Sequence, residues 1–413
     1  MEIPLAQEGL DEIEIESVTR IFREGNLTMG KNVKEFELDF ARKFGVKHAV
    51  MVNSGSSANL LALEMLAKHI GVQDHRIRAN YYVAVPAILW PTSIWPIVQL
   101  GFRALVIDTK EDSLEMDLDL LIKAKLDLGD QLVGAVLIHP LGRALESTKI
   151  RDLRDNYGIF IIEDNAESLG AGTNGEFAGT VGNVGTFSFY YSHHITTVEG
   201  GMVVSNSDSD MNEILSMRAH GWTRNRQDRK EIESKYPEYN KDFLFVTSGY
   251  NFRPMEFQGA LGVSQLKKLD KFIETRTSNV SRVVEVLKNS NFRVIGSDSE
   301  AIKFSNHGIE IDPPVPHSWM AIPISYKGQS LTLNEIHNFL NKNGVATRPV
   351  LAGNFINQPA SEHEMISVFQ GTSKADDIHQ RSFMIGNHHN LSEEQLLHLL
   401  TMFERIISLD EQK

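Results

Sequence analysis

Between residues 48 and 204 short apolar runs alternate with helical stretches, and no other feature limits the fold as much. The strand candidates are His48-Val52, Tyr81-Val85, Ala104-Ile107, Leu132-Ile138, Ile159-Ile162 and Gly201-Val204. Helical patterns such as Ala58-His69 and Leu118-Leu126 lie between them. This order predicts an α/β domain with a mostly parallel central sheet. Near-continuous apolar strands fit burial on both faces. Sheets of this kind place ligands at the carboxyl ends of their strands.

Two helices precede this region. The first runs from about Leu10 to a stop at Gly25, and the second carries Val33, Phe36, Phe40 and Ala41 to an end near Gly45. A long helix is predicted from Pro254 through Arg276. Beyond it, Trp319-Ile324, Leu333-Asn341 and Ser392-Ile407 read as a smaller α+β unit. The expected division is 1–260 for the large domain and 261–413 for the small one. The 413 residues allow two or three domains at about 150 residues each.

Composition removes several function classes. Lys and Arg number 41 against 54 Asp and Glu, a net charge of -13, which disfavours a nucleic-acid binder. No apolar run is long enough for a membrane helix. With no cysteine there is no disulfide, thiolate zinc site or cysteine-held iron–sulfur cluster. Met1 to Leu5 carries no secretory pattern, so the cytoplasm is the expected location.

Two familiar motifs nearly occur. Gly25 to Asn32 follows a phosphate-loop spacing but ends in Asn where Ser or Thr must hold magnesium, and it follows a helix. His363-Glu364 opens like a zinc-protease helix, but Ser367 stands where the second His belongs.

Three segments carry more. Asn53-Ser54-Gly55-Ser56-Ser57-Ala58-Asn59-Leu60 joins a strand to a helix. Small residues and free N–H groups at a helix start suit a phosphate, although Ser is also an ordinary helix cap. Ile161-Ile162-Glu163-Asp164-Asn165-Ala166-Glu167-Ser168-Leu169-Gly170 ends an apolar strand with carboxylates. Such acids can meet a cationic ring nitrogen or a metal, or simply be solvated. Gly185 to Gly201 crowds aromatics, hydroxyls, the His193-His194 pair and a Glu-Gly-Gly turn. A His pair beside a carboxylate also allows a metal site.

Together these segments resemble the nucleotide-sugar aminotransferase and dehydratase family of fold-type I pyridoxal phosphate enzymes. The likeness extends through Ala84-Val85-Pro86-Ala87, Gly249-Tyr250-Asn251-Phe252-Arg253-Pro254 and Gly259-Ala260-Leu261-Gly262, and so covers most of the chain. It implies an aspartate aminotransferase-like large domain with a small C-terminal domain. One departure is informative. Aminotransferases of the family carry Lys at position 193, where it bonds covalently to the cofactor. Here His193 stands in its place, and no Lys lies between Gly172 and Arg218. A His within Ser-His-His-Ile-Thr resembles the sugar 3-dehydratases. Without cysteine, the cluster-free branch is the one indicated. Arg218 to Asn225, Arg348 to Phe355 and Gly386-Asn387-His388 resemble that branch as well.

The resemblance implies the following roles. Pyridoxamine or pyridoxal 5′-phosphate is held without a covalent link. His193 is the base and acid, and Asp164 meets the ring nitrogen. Gly55, Ser56, Ser57 and Ser188 cradle the phosphate, with Asn251 reaching it from a neighbouring subunit. Trp90 stacks on the ring and Glu167 faces its phenolic oxygen. His220, Arg224, Arg253 and Arg348 bind substrate. The implied substrate is a nucleotide-linked, GDP by resemblance, 4-keto-6-deoxyhexose, with L-glutamate as amine donor and a homodimer as the assembly. No metal is expected. The remaining readings are an aminotransferase using another Lys, a binding protein that has lost its Lys, and a His/Glu metal protein.

Overall fold

The structure, a computed structural model, describes residues 1–7, 9–297 and 313–413. Its centre is an eight-stranded sheet. From one edge the order is His48–Val52, Gly201–Ser205, Val184–Ser188, Phe160–Asp164, Leu132–Ile138, Tyr82–Pro86, Arg103–Ile107 and Ile366–Val368. Gly201–Ser205 runs antiparallel to both neighbours and the other pairings are parallel. This is the expected mostly parallel sheet of the fold-type I architecture. The predicted strands recur within two residues at their ends.

Two strands of this sheet were not foreseen. Val184–Ser188 contains Gly185, Thr186 and Ser188, which break the apolar run. Ile366–Val368 is too short to stand out, and it comes from the C-terminal third to pair with Arg103–Ile107.

Alternation along Val184–Ser188 explains much of the site. Phe187 and the following Phe189 point to one face, where they join Phe36, Phe40 and Phe44 of the helix Lys31–Phe44. Phe40 meets Phe187 at 4.9 Å and Phe44 at 4.4 Å between ring centroids. Removing such a buried ring costs about 3–5 kcal/mol. Thr186 and Ser188 therefore face the other way, toward the helix Gly55–His69. That helix begins three residues before its predicted start, so the Gly-Ser-Ser run forms its first turn.

The first helix is Glu12–Glu24 rather than one starting at Leu10. Asp11 caps it in a capping box with Glu14. The long helix is Glu256–Leu287, continuing well past Arg276. Its apolar period breaks at Arg276-Thr277-Ser278-Asn279. The helix persists because Val280, Val283 and Leu287 resume the buried face in a second core. The expected division at residue 260 falls inside this one helix. The second core holds a four-stranded antiparallel sheet ordered Phe292–Val294, Ala321–Tyr326, Ser382–Gly386 and Thr347–Arg348. Helices Leu333–Lys342 and Glu393–Gln412 pack on it, and Ile3 is buried there too. Among the described residues no helix is long and apolar enough to cross a membrane.

Candidate active site

The carboxyl ends of the parallel strands open onto a cavity of about 490 Å³. One part of its lining is the start of the helix Gly55–His69. Ser54 caps that helix, accepting from the Ser57 backbone N–H at 3.1 Å. The first N–H groups of a helix have no partner within it and favour an anion. Gly55 sits so close to Ser188 that an added Cβ would lie 2.6 Å from the serine Cβ. Only glycine lets the helix start approach the strand end, and the result is a tight cup lined by Ser54, Gly55, Ser56 and Ser188. This donor set fits a phosphate group.

The near phosphate-loop at Gly25 to Asn32 is different. Gly30 and Asn32 direct their backbone N–H groups at the Glu256 carboxylate, each at 2.6 Å. An internal anion already occupies that helix start.

Asp164 ends its strand at the cavity floor, only 4% exposed. Its Oδ2 accepts from Asn59 Nδ2 at 2.8 Å and from Ser93 Oγ at 2.7 Å. The Ala166 N–H reaches Oδ1 at 3.2 Å. Thr186 Oγ1 in turn donates to Asn59 Oδ1 at 2.6 Å, fixing which end of the amide meets the acid. The adjacent Glu163 faces away. It is fully buried, paired with His139 at 3.0 Å, and accepts from Gly179, Val181 and Gly182. Neither acid is a solvated loop group.

The two adjacent histidines have opposite environments. His193 lines the cavity and its Nδ1 lies 2.5 Å from the Ala166 carbonyl. A carbonyl only accepts, so Nδ1 carries the proton and Nε2 keeps its lone pair. Burial pushes this imidazole below its ordinary pKa, and the Arg276 charge adds to that. The Ala166 bond and the Asp164 charge act the other way. His194 points into the protein, 1% exposed, with Nε2 on the Ser318 carbonyl at 3.0 Å. Among the described residues no group of three or more His, Asp or Glu is placed to hold a metal ion.

Glu167 also lines the cavity. Burial pushes its carboxyl up to about 7. The Leu141 N–H bond opposes this, the Asp164 charge assists it, and the Arg348 charge lowers it. Arg348 stands with its guanidinium 5.6 Å from the centre of the Trp90 ring, and both line the cavity.

The structure thus brings together Gly55, Ser56, Trp90, Asp164, Glu167, Ser188, His193 and Arg348. Ser57 does not join them. Its hydroxyl donates to Asn53 Oδ1 at 2.7 Å and is used within the helix cap, while Ser54 takes the cavity position. His220, Arg224, Asn251 and Arg253 lie outside this chain's cavity, and all four are exposed. The sequence segments contain Asn59 and Thr186 but do not reveal their supporting roles, and Ser93 lies outside them. Sequence reasoning also missed Leu5, Ala6, Met320, Ala321, Leu351 and Met384, which give the cavity an apolar side. No lysine is among the described residues that line it.

A sequence model of the DegT/DnrJ/EryC1/StrS aminotransferase family matches residues 8–404. The chain is 34% identical to the GDP-4-keto-6-deoxy-D-mannose 3-dehydratase of Yersinia pseudotuberculosis, over 97% of this chain and 98% of that one. A crystal structure of GDP-4-keto-6-deoxymannose-3-dehydratase with a trapped PLP-glutamate geminal diamine matches with a TM-score of 0.84. It is 31% identical and covers 97% of this chain and 100% of its own. A mutant of the same-named enzyme with bound GDP-perosamine also matches at a TM-score of 0.84. It is 30% identical, with the same coverage.

Proposed function

The chain belongs to the DegT/DnrJ/EryC1/StrS aminotransferase family, and on that premise we propose that it is a sugar-nucleotide 3-dehydratase. In this reading it takes a GDP-linked 4-keto-6-deoxyhexose and removes the C3 hydroxyl. It uses pyridoxamine 5′-phosphate, and L-glutamate restores the amine form. The observation that carries the reading is the imidazole at position 193, which lines the cavity with Asp164 and has Nδ1 on the Ala166 carbonyl, where no lysine is among the described lining residues.

Bound in this cavity, the cofactor supplies an amine for the C4 ketone and a ring that takes up electrons. The Gly55, Ser56 and Ser188 cup holds its phosphate, and the Asp164 carboxylate suits a protonated ring nitrogen. Glu167, with a pKa near 7, is ready to share a proton with a neighbouring phenolic oxygen. Trp90 offers a ring face for stacking. Proton transfer at the reacting centre is left to His193.

His193 does the proton work. Its Nδ1 is committed to Ala166, so only Nε2 takes up a proton. A base held neutral by burial is ready to accept at ordinary pH. The same nitrogen then returns the proton to the departing C3 oxygen. An amine would instead be drawn into a covalent bond. Replacing a C–OH by C–H is a two-electron reduction. Glutamate supplies those electrons by becoming 2-oxoglutarate, and its nitrogen leaves as ammonia. The overall exchange balances without a further reductant.

The exposed His220, Arg224, Asn251 and Arg253 fit a homodimer in which each chain completes the other's cavity. Arg348 suits a carboxylate or a diphosphate, since a guanidinium matches either.

The test is spectroscopic. Purified protein loaded with pyridoxal phosphate and freed of excess should show the aldehyde band, and glutamate should convert it to the pyridoxamine band. Addition of GDP-4-keto-6-deoxymannose should then yield a sugar lacking the C3 oxygen. Failure to retain cofactor under any condition would remove the reading.

A further inference from the structure

We propose that the N-terminal segment Ile3 to Ala6 is a specificity wall of the reaction cavity, with Leu5 packing against the sugar nucleotide and not against the amino acid donor. This rests on the functional reading above.

The segment is firmly tied. Ile3 is 1% exposed and belongs to the second core. Its N–H donates to the Gly344 carbonyl at 2.7 Å, and its own carbonyl accepts from Ala346 at 3.0 Å. Gln395 Nε2 holds the Glu2 carbonyl at 2.9 Å, and Gln265 Nε2 holds the Gly9 carbonyl at 3.0 Å. Between these anchors the chain crosses the end of the strand Ser382–Gly386. It passes so near that a Cβ on Gly386 would lie 2.2 Å from the Pro4 carbonyl oxygen and 2.9 Å from that of Leu5.

That crossing delivers Leu5 and Ala6 to the cavity. The strand beneath supplies Met384, and its neighbours supply Ala321 and Arg348. Leu5 is 36% exposed, although its neighbour Ile3 is buried. A half-covered leucine, held rigidly at a cavity, gains from an apolar ligand edge. A 6-deoxyhexose presents a methyl group and ring C–H bonds. Glutamate carries a charge at each end of a short chain and gains nothing from such a lining. The apolar side therefore serves the substrate that presents a methyl group and ring C–H bonds.

The experiment compares wild type, Leu5→Ser and Leu5→Met, each loaded with cofactor. Calorimetry measures the binding of GDP-perosamine, which needs no turnover, and absorbance follows the glutamate half-reaction. We expect Leu5→Ser to weaken GDP-perosamine binding roughly tenfold, and Leu5→Met to bind within about threefold of wild type. Both should convert with glutamate at wild-type rates, and melting temperatures should match. Equal binding by Leu5→Ser and wild type overturns the proposal. So does a parallel loss in the glutamate half-reaction, since Leu5 would then act on both ligands. A wild-type protein that converts with glutamate yet binds no GDP-perosamine overturns the sugar reading and the wall with it.

Discussion

The cavity has two linings that differ in how they are built. Most of the polar lining comes from short contiguous stretches at strand ends, 54–59, 164–167 and 188–193, with Ser93, Glu199 and Arg348 added from elsewhere. Hydrogen bonds fix the groups at its centre. Asp164 is held by Asn59, Ser93 and the Ala166 N–H, and His193 is held by the Ala166 carbonyl. Beyond Ile138 at a strand end, the apolar lining comes from four distant places: Leu5 and Ala6, Met320 and Ala321, Leu351, and Met384. Packing holds it: Ala321, Leu351 and Met384 belong to the core around the large sheet, and Met320 packs against that core. The difference teaches a division of labour. Groups that move protons or hold charge need fixed directions, which hydrogen bonds supply. Groups that select a substrate need only shape and apolarity, so widely separated parts of the chain can share the task.

That division can be broken in several places. The largest effect should come from His193→Asn, which keeps the ring's neighbours but has no basic nitrogen. Deoxygenation should fall by about 10²–10⁴-fold, with cofactor still retained in the absorbance spectrum. Near-full turnover would remove His193 from the chemistry. Next comes Asp164→Asn, expected to lower turnover about 10²–10³-fold. An unchanged rate would mean that the charge at the floor of the polar lining is not used. Gly55→Ala forces a Cβ to 2.6 Å from Ser188 and should cost about 1–3 kcal/mol. It should appear as weaker cofactor binding in a fluorescence titration, with little change in the affinity for GDP-perosamine per bound cofactor.

The smallest effect concerns pH. Glu167 has a folded pKa raised to about 7, above its unfolded value near 4.5. A raised carboxyl favours the folded state while protonated. The cofactor-free protein should therefore lose stability as pH rises from 4.5 through 7. Glu167→Gln should flatten that stretch of the melting-temperature profile. The same slope in both proteins would assign it to another group.

The sequence made most of the polar lining readable because its main pieces are local. Gly55 and Ser56 begin a helix directly after a strand, and Asp164 ends an apolar run. His193 stands in a segment whose composition is unusual. Ser57 shows the limit of that reading, because a serine at a helix start can serve the cap as well as a ligand. Position along the chain does not say which. Ser93 lies far from Asp164 in sequence and meets it only once the sheet has formed. Thr186 was hidden because its strand is interrupted by Gly185 and Ser188. The apolar lining was not readable at all. Leu5 is an unremarkable leucine until Ile3 is buried beside Val345, and nothing local reports a pairing between residues so far apart. The long helix was shortened for a similar reason, since its polar stretch after Arg276 is carried by a second core that sequence periodicity does not reveal.

The central claim is that a histidine-based cavity removes an oxygen rather than adding an amine. One measurement addresses it directly. The protein, with pyridoxal phosphate and glutamate, is incubated with GDP-4-keto-6-deoxymannose, and the sugar nucleotide is then weighed by mass spectrometry. The account predicts a 4-keto product lighter by one oxygen atom, with release of ammonia and 2-oxoglutarate. A product that keeps its C3 hydroxyl and carries an amino group at C4 would contradict it.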